Sequence, residues 1–462
     1  MDEAPRQYEG EWWHPADPDR KLGGILELGD SFELRLWGSL YERTFPSIMN
    51  GAFDASILNG ISHGKALTII DGRFGGSQYS STGSSTIRVR APLVFTGSYL
   101  LESADEAKFT KVNASPGNLL EWTARSGLSR EWPNRGHAKL EYMPVEPSVA
   151  SIQGATIELH QGRVEDGDDH WAKWQEVGSL LFELSEPQTV SDIEFKFLRP
   201  FRYFLDLATG SASPPGLLQV ANPDHHLEEP TTQWLDVHAY GRDRRVPQKK
   251  PPMVHDMLFT LGQIEFTEVV PRWYALVDKL GITCDLLFSL NAPQNVFAGN
   301  KLFNVASAAE GIHQRLYPGA DRRTSEHRQR VKEILGATPE AHRDWLKAKL
   351  AFSHTPTFSD RLQQLIDHAG SCINPFVGDR DKWVRLVKDV RNQIAHARRE
   401  RYIVETDVVK QVRLTATIDV MLRFILLREL GFTDDQCASM IHRNPQWSHL
   451  QSVLPSELPE IF

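Results

Sequence analysis

The spacing of apolar and polar positions changes period once along the chain. Over residues 9–245 it stays close to two, the period of a half-buried strand. Phe32, Leu34 and Leu36 alternate with Glu33 and Arg35, and Gly29-Asp30-Ser31 separates them from Ile25–Leu28, which predicts a hairpin. Further strands are predicted at 61–70, 86–101, 109–113, 119–123, 155–160 and 176–184, with a last pair near 216–220 and 232–240. Gly, Ser, Asn and Pro clusters divide them. Strands this short and numerous predict a sandwich or a pair of packed sheets. Residues 190–209 read as a helix entered through Ser191-Asp192, with Pro200 kinking or dividing it.

Residues 241–252, GRDRRVPQKKPP, set five basic residues against one acidic among prolines and read as an exposed linker. Two or three short helices are expected over 256–291, and from about 294 the period is helical. Ala298, Leu302, Val305, Ala309, Ile312 and Leu316 form one apolar stripe, which Tyr317-Pro318-Gly319 ends. A basic helix over about 324–335 follows, and Thr338-Pro339-Glu340 gives the cap and first turn of the next. Ser359-Asp360 opens another helix, running to about Cys372, and Asp379 opens the one after it. Thr406-Asp407 begins a helix apolar nearly all round over Ile418–Leu427, hence central in a bundle, and Gly431 closes it. Thr433-Asp434-Asp435-Gln436 is a capping box, and a loosely ordered tail is expected from Pro445. The prediction is an α+β multidomain chain: a β-rich, sandwich-like region over 1–240, a basic linker with connecting helices over 241–293, and an all-α bundle over 294–462.

Composition narrows this picture little. The chain has 462 residues, 40% hydrophobic and 24% charged, which suits globular domains with cores of their own. No apolar run is long enough to span a membrane, and MDEAPRQYEG has the character of neither a secretory signal nor a transit peptide. Cys284, Cys372 and Cys437 are far apart and odd in number, which predicts buried reduced thiols and a cytoplasmic protein. A net charge of −9 argues against non-specific coating of nucleic acid but leaves room for a local basic patch. Three β-region features resemble sites and read better as structure. Trp12-Trp13 with Trp37 are expected in the core, and the acidic turn Glu165–His170 is expected to be a solvated hairpin turn. Asp224-His225-His226 lacks a further ligand at helical spacing. No metal and no cofactor is predicted.

The chemistry concentrates in Arg391-Asn392-Gln393-Ile394-Ala395-His396. An imidazole can move protons to and from a ribose 2′-hydroxyl and a leaving oxygen, while a guanidinium steadies charge on phosphoryl oxygens. An Arg followed by a His at nearby spacing also occurs at Arg163…His170, Arg322…His327, Arg361…His368 and Arg443…His449, so spacing alone singles out nothing. Arg443 is also followed by Asn, but it lies beyond the last expected helix with Pro445 between it and His449; Arg391 alone combines the Asn with a late place in a strongly amphipathic helix and the following basic run Arg398, Arg399, Arg401. Trp383, Leu386, Val387, Val390, Ile394 and Ala397 mark that helix's buried face. At helical pitch Asn392 and His396 lie together opposite this stripe, with Arg391 on a shoulder. One straight helix does not aim Arg391 and His396 at one phosphate. A bend, or a second copy across a two-fold axis, would.

On these residues the region over about 294–445 resembles a HEPN domain, with Arg391-Asn392-x-x-x-His396 as its signature. The layout, a β-rich region joined to such a domain, resembles the ApeA family of bacterial anti-phage proteins. That resemblance implies a metal-independent endoribonuclease that cuts host or phage RNA, transfer RNA among the candidates, and so aborts phage growth. It also implies a homodimer or higher homo-oligomer, and a phage-derived trigger sensed by the N-terminal region. In several HEPN groups a polar or acidic residue on an earlier helix joins the site, and Glu310 is the candidate here. The roles expected are His396 as general acid/base, Arg391 stabilising the phosphorane and Asn392 orienting the imidazole or a phosphate oxygen. Arg398, Arg399 and Arg401, with Arg244, Arg245, Lys249 and Lys250 of the linker, are the residues expected to guide the RNA backbone. The rival readings are a non-catalytic HEPN-type interaction protein with a ligand-binding β domain, and a toxin held by a partner protein.

Overall fold

The computed structural model describes residues 6–38, 55–79, 85–134, 136–168, 170–222, 232–241, 250–291, 296–320, 324–395 and 405–462. They fall into two compact units. The first comprises Met1–Arg202, Ser213–Pro251 and Glu265–Pro271, and the second Tyr203–Ala212, Pro252–Ile264 and Arg272–Phe462.

The first unit is built on strands in two sequence blocks. One block holds β1 (Arg6–His14), β2 (Asp17–Leu28), β3 (Phe32–Trp37), β4 (Ile57–Ser62), β5 (Lys65–Ile70), β6 (Arg73–Tyr79), β7 (Ser85–Arg90) and β8 (Leu93–Gly97). The other holds β9 (Lys108–Ser115), β10 (Leu128–Asn134), β11 (His137–Tyr142), β12 (Ser148–Ile152), β13 (Ala155–Gly167), β14 (Ala172–Thr189), β15 (Leu217–Ala221) and β16 (Leu235–Ala239). Fourteen of these form one hydrogen-bonded ladder in the order β12-β13-β14-β9-β15-β16-β8-β5-β4-β1-β2-β3-β7-β6, while β10 and β11 pair separately. The β-rich region expected from strand spacing is thus present, as one fourteen-stranded antiparallel ladder and a separate two-stranded one. Spacing reports strand number and says nothing of which edges join.

The predicted hairpin is present, with Leu28 opposite Phe32 and Leu26 opposite Leu34. The alternation places Leu26, Leu34 and Leu36 in a core with Trp12, Leu58, Leu67, Ile69, Val89 and Val94. Trp12 and Trp13 are buried as expected, whereas Trp37 is 51% exposed on the opposite face of its strand. The run 61–70 is divided between β4 and β5 by His63-Gly64, both at positive φ (47° and 79°), as a two-residue type I′ hairpin requires. Likewise 86–101 contains the end of β7 and all of β8.

Residues 119–123, expected as a strand, form the single helical turn α1 (Leu119–Thr123) between left-handed Asn118 and Ala124. Its buried Leu119, Trp122 and Thr123 follow the three-four spacing of a helix. The acidic turn is a hairpin turn in which Asp168 accepts from His170 N, Trp171 N and Trp171 Nε1. Residues 190–209 form α2 (Val190–Ile193), a π-helical turn over Glu194–Leu198, and α3 (Arg199–Thr209). The cap is Thr189 rather than Ser191, and the widened turn accommodates Pro200, which has no N–H to give to a regular ladder. Asp224-His225-His226 lies outside the described residues.

In the second unit the helices are α4 (Phe266–Leu280), α5 (Ile282–Phe288), α6 (Ala298–Leu316), α7 (Ser325–Ala337), α8 (Glu340–Leu350), α9 (Phe358–Ala369), α10 (Asn374–Val377), α11 (Arg380–Ala395), α12 (Glu405–Glu429), α13 (Asp434–Arg443) and α14 (Pro445–Glu457); the first residues of α4 fall in the other unit. The stripe read on α6 is its buried face: Leu302, Val305, Ala309 and Ile312 are fully covered. Residues 420–427 of α12 are buried without a break, as the all-round apolar run predicted. The exception in polarity, Arg423, is satisfied by Asp419 Oδ2 (2.8 Å), Asp206 O (3.2 Å) and Asn291 Oδ1 (3.0 Å). Thr357 and Asp360 form the capping box of α9, and Thr433 and Gln436 that of α13.

The tail from Pro445 is ordered, against expectation. Pro445 is the first residue of α14, capped by Asn444, and Trp447, Leu450 and Leu454 are buried. The same proline that suggested an end supplies the favoured N1 residue of a new helix. Among the described residues no helix is long and apolar enough to cross a membrane.

Candidate active site

Helix α11 carries the first half of the motif and is fixed at its N-terminus by local chemistry. Gly378, at φ +54°, turns the chain, and Asp379 Oδ1 accepts from Lys382 N (3.0 Å). Asp379 N in turn donates to Ile461 O (2.7 Å), so the C-terminal segment closes on this cap. Trp383, Val384, Val387 and Val390 face the core, and Trp383 Nε1 donates to Thr417 Oγ1 on α12 (3.0 Å). Burial of that face leaves Arg391 and Asn392 at its margin, each half-buried.

Three of the residues singled out in the sequence meet there. Arg391 Nη2 donates to Glu310 Oε2 of α6 at 2.9 Å, and Arg391 Nη1 donates to Asn392 Oδ1 at 3.2 Å. The pair is screened from solvent without being sealed: side-chain exposure is 23% for Arg391 and 29% for Glu310. The guanidinium also lies 5.3 Å from the ring centre of Phe358, the first residue of α9, and 5.8 Å from that of Phe303. Arg391 Nε is buried and has no hydrogen-bond partner among the described residues. Carboxylate, amide and two ring faces thus restrict a normally mobile cation, with part of its donor capacity unused.

Phe303 and Phe358 were missed in the sequence. A signal existed for Phe303: it stands seven residues, two helical turns, before Glu310 and off the apolar stripe, so the two share a face of α6. Phe358 gives no such signal, because only the tertiary fold brings the start of α9 to Arg391. The ends of α11 and α12 also converge on α6: a Cβ on Gly299 would lie 3.7 Å from Ile394 Cδ1 and 3.5 Å from Gln411 Oε1. His396, Arg398, Arg399 and Arg401 lie outside the described residues, as do Arg244, Arg245 and Lys249. Lys250 is described and exposed.

The other Arg–His pairs occupy structural positions where they are described. Arg361 is buried and its Nη1 donates to His313 Nδ1 (2.9 Å). Because guanidinium only donates, Nδ1 is the acceptor, and the His313 proton sits on Nε2, facing Gln364 Oε1 at 2.6 Å. His368 bridges Tyr317 OH (2.9 Å) and Glu429 Oε1 (3.0 Å). Burial first, then the charges of Glu429 and Asp367, hold the Tyr317 hydroxyl above its ordinary pKa. Arg163 stacks on Trp174 and Tyr142, and Arg443 Nη2 caps Leu258 O (3.1 Å). Cys284, Cys372 and Cys437 are free and buried. Among the described residues no three His, Cys, Asp or Glu side chains group as metal ligands.

A family model described as Apea-like HEPN matches residues 303–436, and one described as ApeA N-terminal domain 1 matches residues 7–273. No curated protein and no solved structure matches the chain.

Proposed function

The chain belongs to the ApeA family, and from that membership and the Arg391 cluster we propose that its helical unit is an endoribonuclease acting in anti-phage defence. The observation that carries the reading is the restraint of Arg391 by Glu310 and Asn392, four residues before His396, inside the segment that matches the HEPN model. A prepositioned guanidinium stabilises charge that develops on a phosphoryl oxygen without reorganising as it develops.

In the proposed reaction His396 takes the proton from the ribose 2′-hydroxyl, and the oxygen attacks the adjacent phosphorus. The P–O5′ bond breaks, a proton returns to the 5′-oxygen, and a 2′,3′-cyclic phosphate and a 5′-hydroxyl result. Arg391 holds the non-bridging oxygens, Asn392 orients the imidazole or a phosphate oxygen, and Glu310 sets the rotamer of Arg391. A metal ion has no part in this scheme, because proton transfer and charge stabilisation both come from side chains. The helical spacing expected from the sequence sets Arg391 and His396 well apart, which favours a site completed by a second copy. Exposed Phe297, Val408, Val409 and Val412 border the convergence of α6 and α12 and offer apolar surface for such a copy. The β-rich unit would sense the trigger.

Purified protein is expected to cut RNA in EDTA and to leave 5′-hydroxyl ends. His396→Ala and Arg391→Ala should each abolish cutting while the protein still melts cooperatively, within about 4 °C of the wild type. A divalent-metal requirement, or full activity in either variant, would refute the mechanism.

A further inference from the structure

Between α6 and α9 the chain makes an excursion, the helical pair α7 and α8, in which no residue is fully buried. Val331 and Leu335 of α7 and Leu346 and Leu350 of α8 are half-covered, and Arg343 Nε caps Leu335 O and Thr338 O (both 3.2 Å). Helices of 13 and 11 residues that bury so little are marginal in water by themselves. What they display is therefore informative.

On α8, His342, Trp345 and Lys349 recur at three- and four-residue spacing, and Phe352 follows three residues on. All four are exposed, Trp345 by 64% and Phe352 by 77%. At about 100° per residue, Glu340 and Asp344 fall about 130° or more from the centre of the face that His342, Trp345 and Lys349 share on α8, so it holds aromatic and basic groups without an acid. Residues 325–350 carry six Lys and Arg against four Asp and Glu, in a chain whose net charge is −9. The location fits as well. The excursion leaves α6, which bears Phe303 and Glu310, and returns at Phe358, whose ring packs on Arg391. Phe352 is six residues before Phe358, so the two are separated by at most about 20 Å.

We propose that the α8 face formed by His342, Trp345 and Lys349, together with Phe352 in the turn just past the helix end, binds unpaired nucleotides of the RNA substrate, stacking bases on the rings and holding phosphate with Lys349. The proposal rests on the ribonuclease reading and adds a substrate class: RNA with exposed base faces at the cut. Base–aromatic stacking tolerates any sequence but needs bases free of a helix, and Lys349 between the two rings meets the backbone that joins them.

The test measures RNA binding by the full chain carrying Arg391→Ala, so that RNA is not cut, against a short unpaired oligonucleotide and the same sequence as a duplex. The unpaired RNA should bind more tightly. Adding Trp345→Ala with Phe352→Ala should weaken its binding at least tenfold while the far-ultraviolet spectrum stays the same. Adding Lys349→Ala should reduce the slope of log affinity against log salt by roughly 0.7. Unchanged affinity and slope would overturn the proposal while the cutting activity of the otherwise wild-type chain stands. A shift of the Trp345 variant to a smaller assembly, with RNA affinity intact, would also overturn it and make the face a contact between copies. If the parent binds neither RNA and the wild type cuts none, the ribonuclease reading itself fails.

Discussion

Glu310 offers the sharpest test of how Arg391 is used. In the structure its carboxylate accepts from Arg391 Nη2 at 2.9 Å, with both side chains about a quarter exposed. A partly screened ion pair of this kind is worth about 1 kcal/mol or less to stability. For a helical unit of this size that corresponds to a melting shift of only about 2–4 °C. Its effect on rate should be far larger. Without the carboxylate the guanidinium regains rotamer freedom, and a misplacement of about 1 Å in a catalytic group costs on the order of a hundredfold. Glu310→Ala is therefore expected to lower kcat by roughly two orders of magnitude with little change in KM. Glu310→Gln keeps an acceptor in the same place and should recover to within about tenfold of the wild type, an expectation based on the retained hydrogen bond. Steady-state cleavage of a labelled RNA, with thermal melts of each variant, measures both quantities. Wild-type or faster cleavage by Glu310→Ala would refute the positioning argument and recast the carboxylate as a competitor of the substrate phosphate.

Two further outcomes follow from the helical unit. Burial pushes the thiols of Cys284 and Cys437 up to about 12 from the ordinary 9.0, so the folded protein keeps protons that the unfolded chain loses. Stability should accordingly be intact below pH 9 and fall as pH rises toward 12, by up to about 1.4 kcal/mol per pH unit per thiol. Urea melts at graded pH, repeated with both cysteines replaced by alanine, check the sign and the source. Removing residues 458–462 takes away buried Leu458 and Ile461 and the carbonyl that accepts from Asp379 N. That deletion is expected to cost roughly 3–5 kcal/mol and about 10 °C of melting temperature. Gly378→Ala should approach the same loss, since its Cβ would lie 2.4 Å from Ile461 O at a φ of +54°. An unchanged melt in both variants would show that the tail does not support α11.

Element type was legible wherever burial was one-sided. The period-two run Phe32–Leu36 and the three-four stripe of α6 both appear as read, because each has one face in a core. The misreadings share a cause: a local signal with two physical meanings. Pro445 ends one helix and begins another, His63-Gly64 sits inside an apolar run yet turns it, and Leu119–Thr123 is a single turn whose short apolar run has the length of a strand as well. At the candidate site, Glu310 is named because the HEPN resemblance implies a polar or acidic residue on an earlier helix, and its place flanking the α6 stripe picks it out there. The ring of Phe358 could not be named, because contacts across helices leave no trace in spacing.

The order of the large sheet has a consequence for how it comes apart. Strands β1–β8 occupy one side of the ladder and the strands from β9 onward the other, and the two blocks share one backbone pairing, β16 with β8 over Asp236–Ala239 and Leu93–Thr96. Each block could lose the other and keep every ladder bond of its own, which makes them candidate foldons with a seam between them. Opening that seam would bare two edges lined by buried Val94, Phe95 and Val237, the kind of strand edge that recruits other chains. Among the described residues, four ladder pairs, the bond from Tyr240 N to Pro92 O (2.9 Å) and the ring contact of Phe95 with Phe109 hold these two halves together.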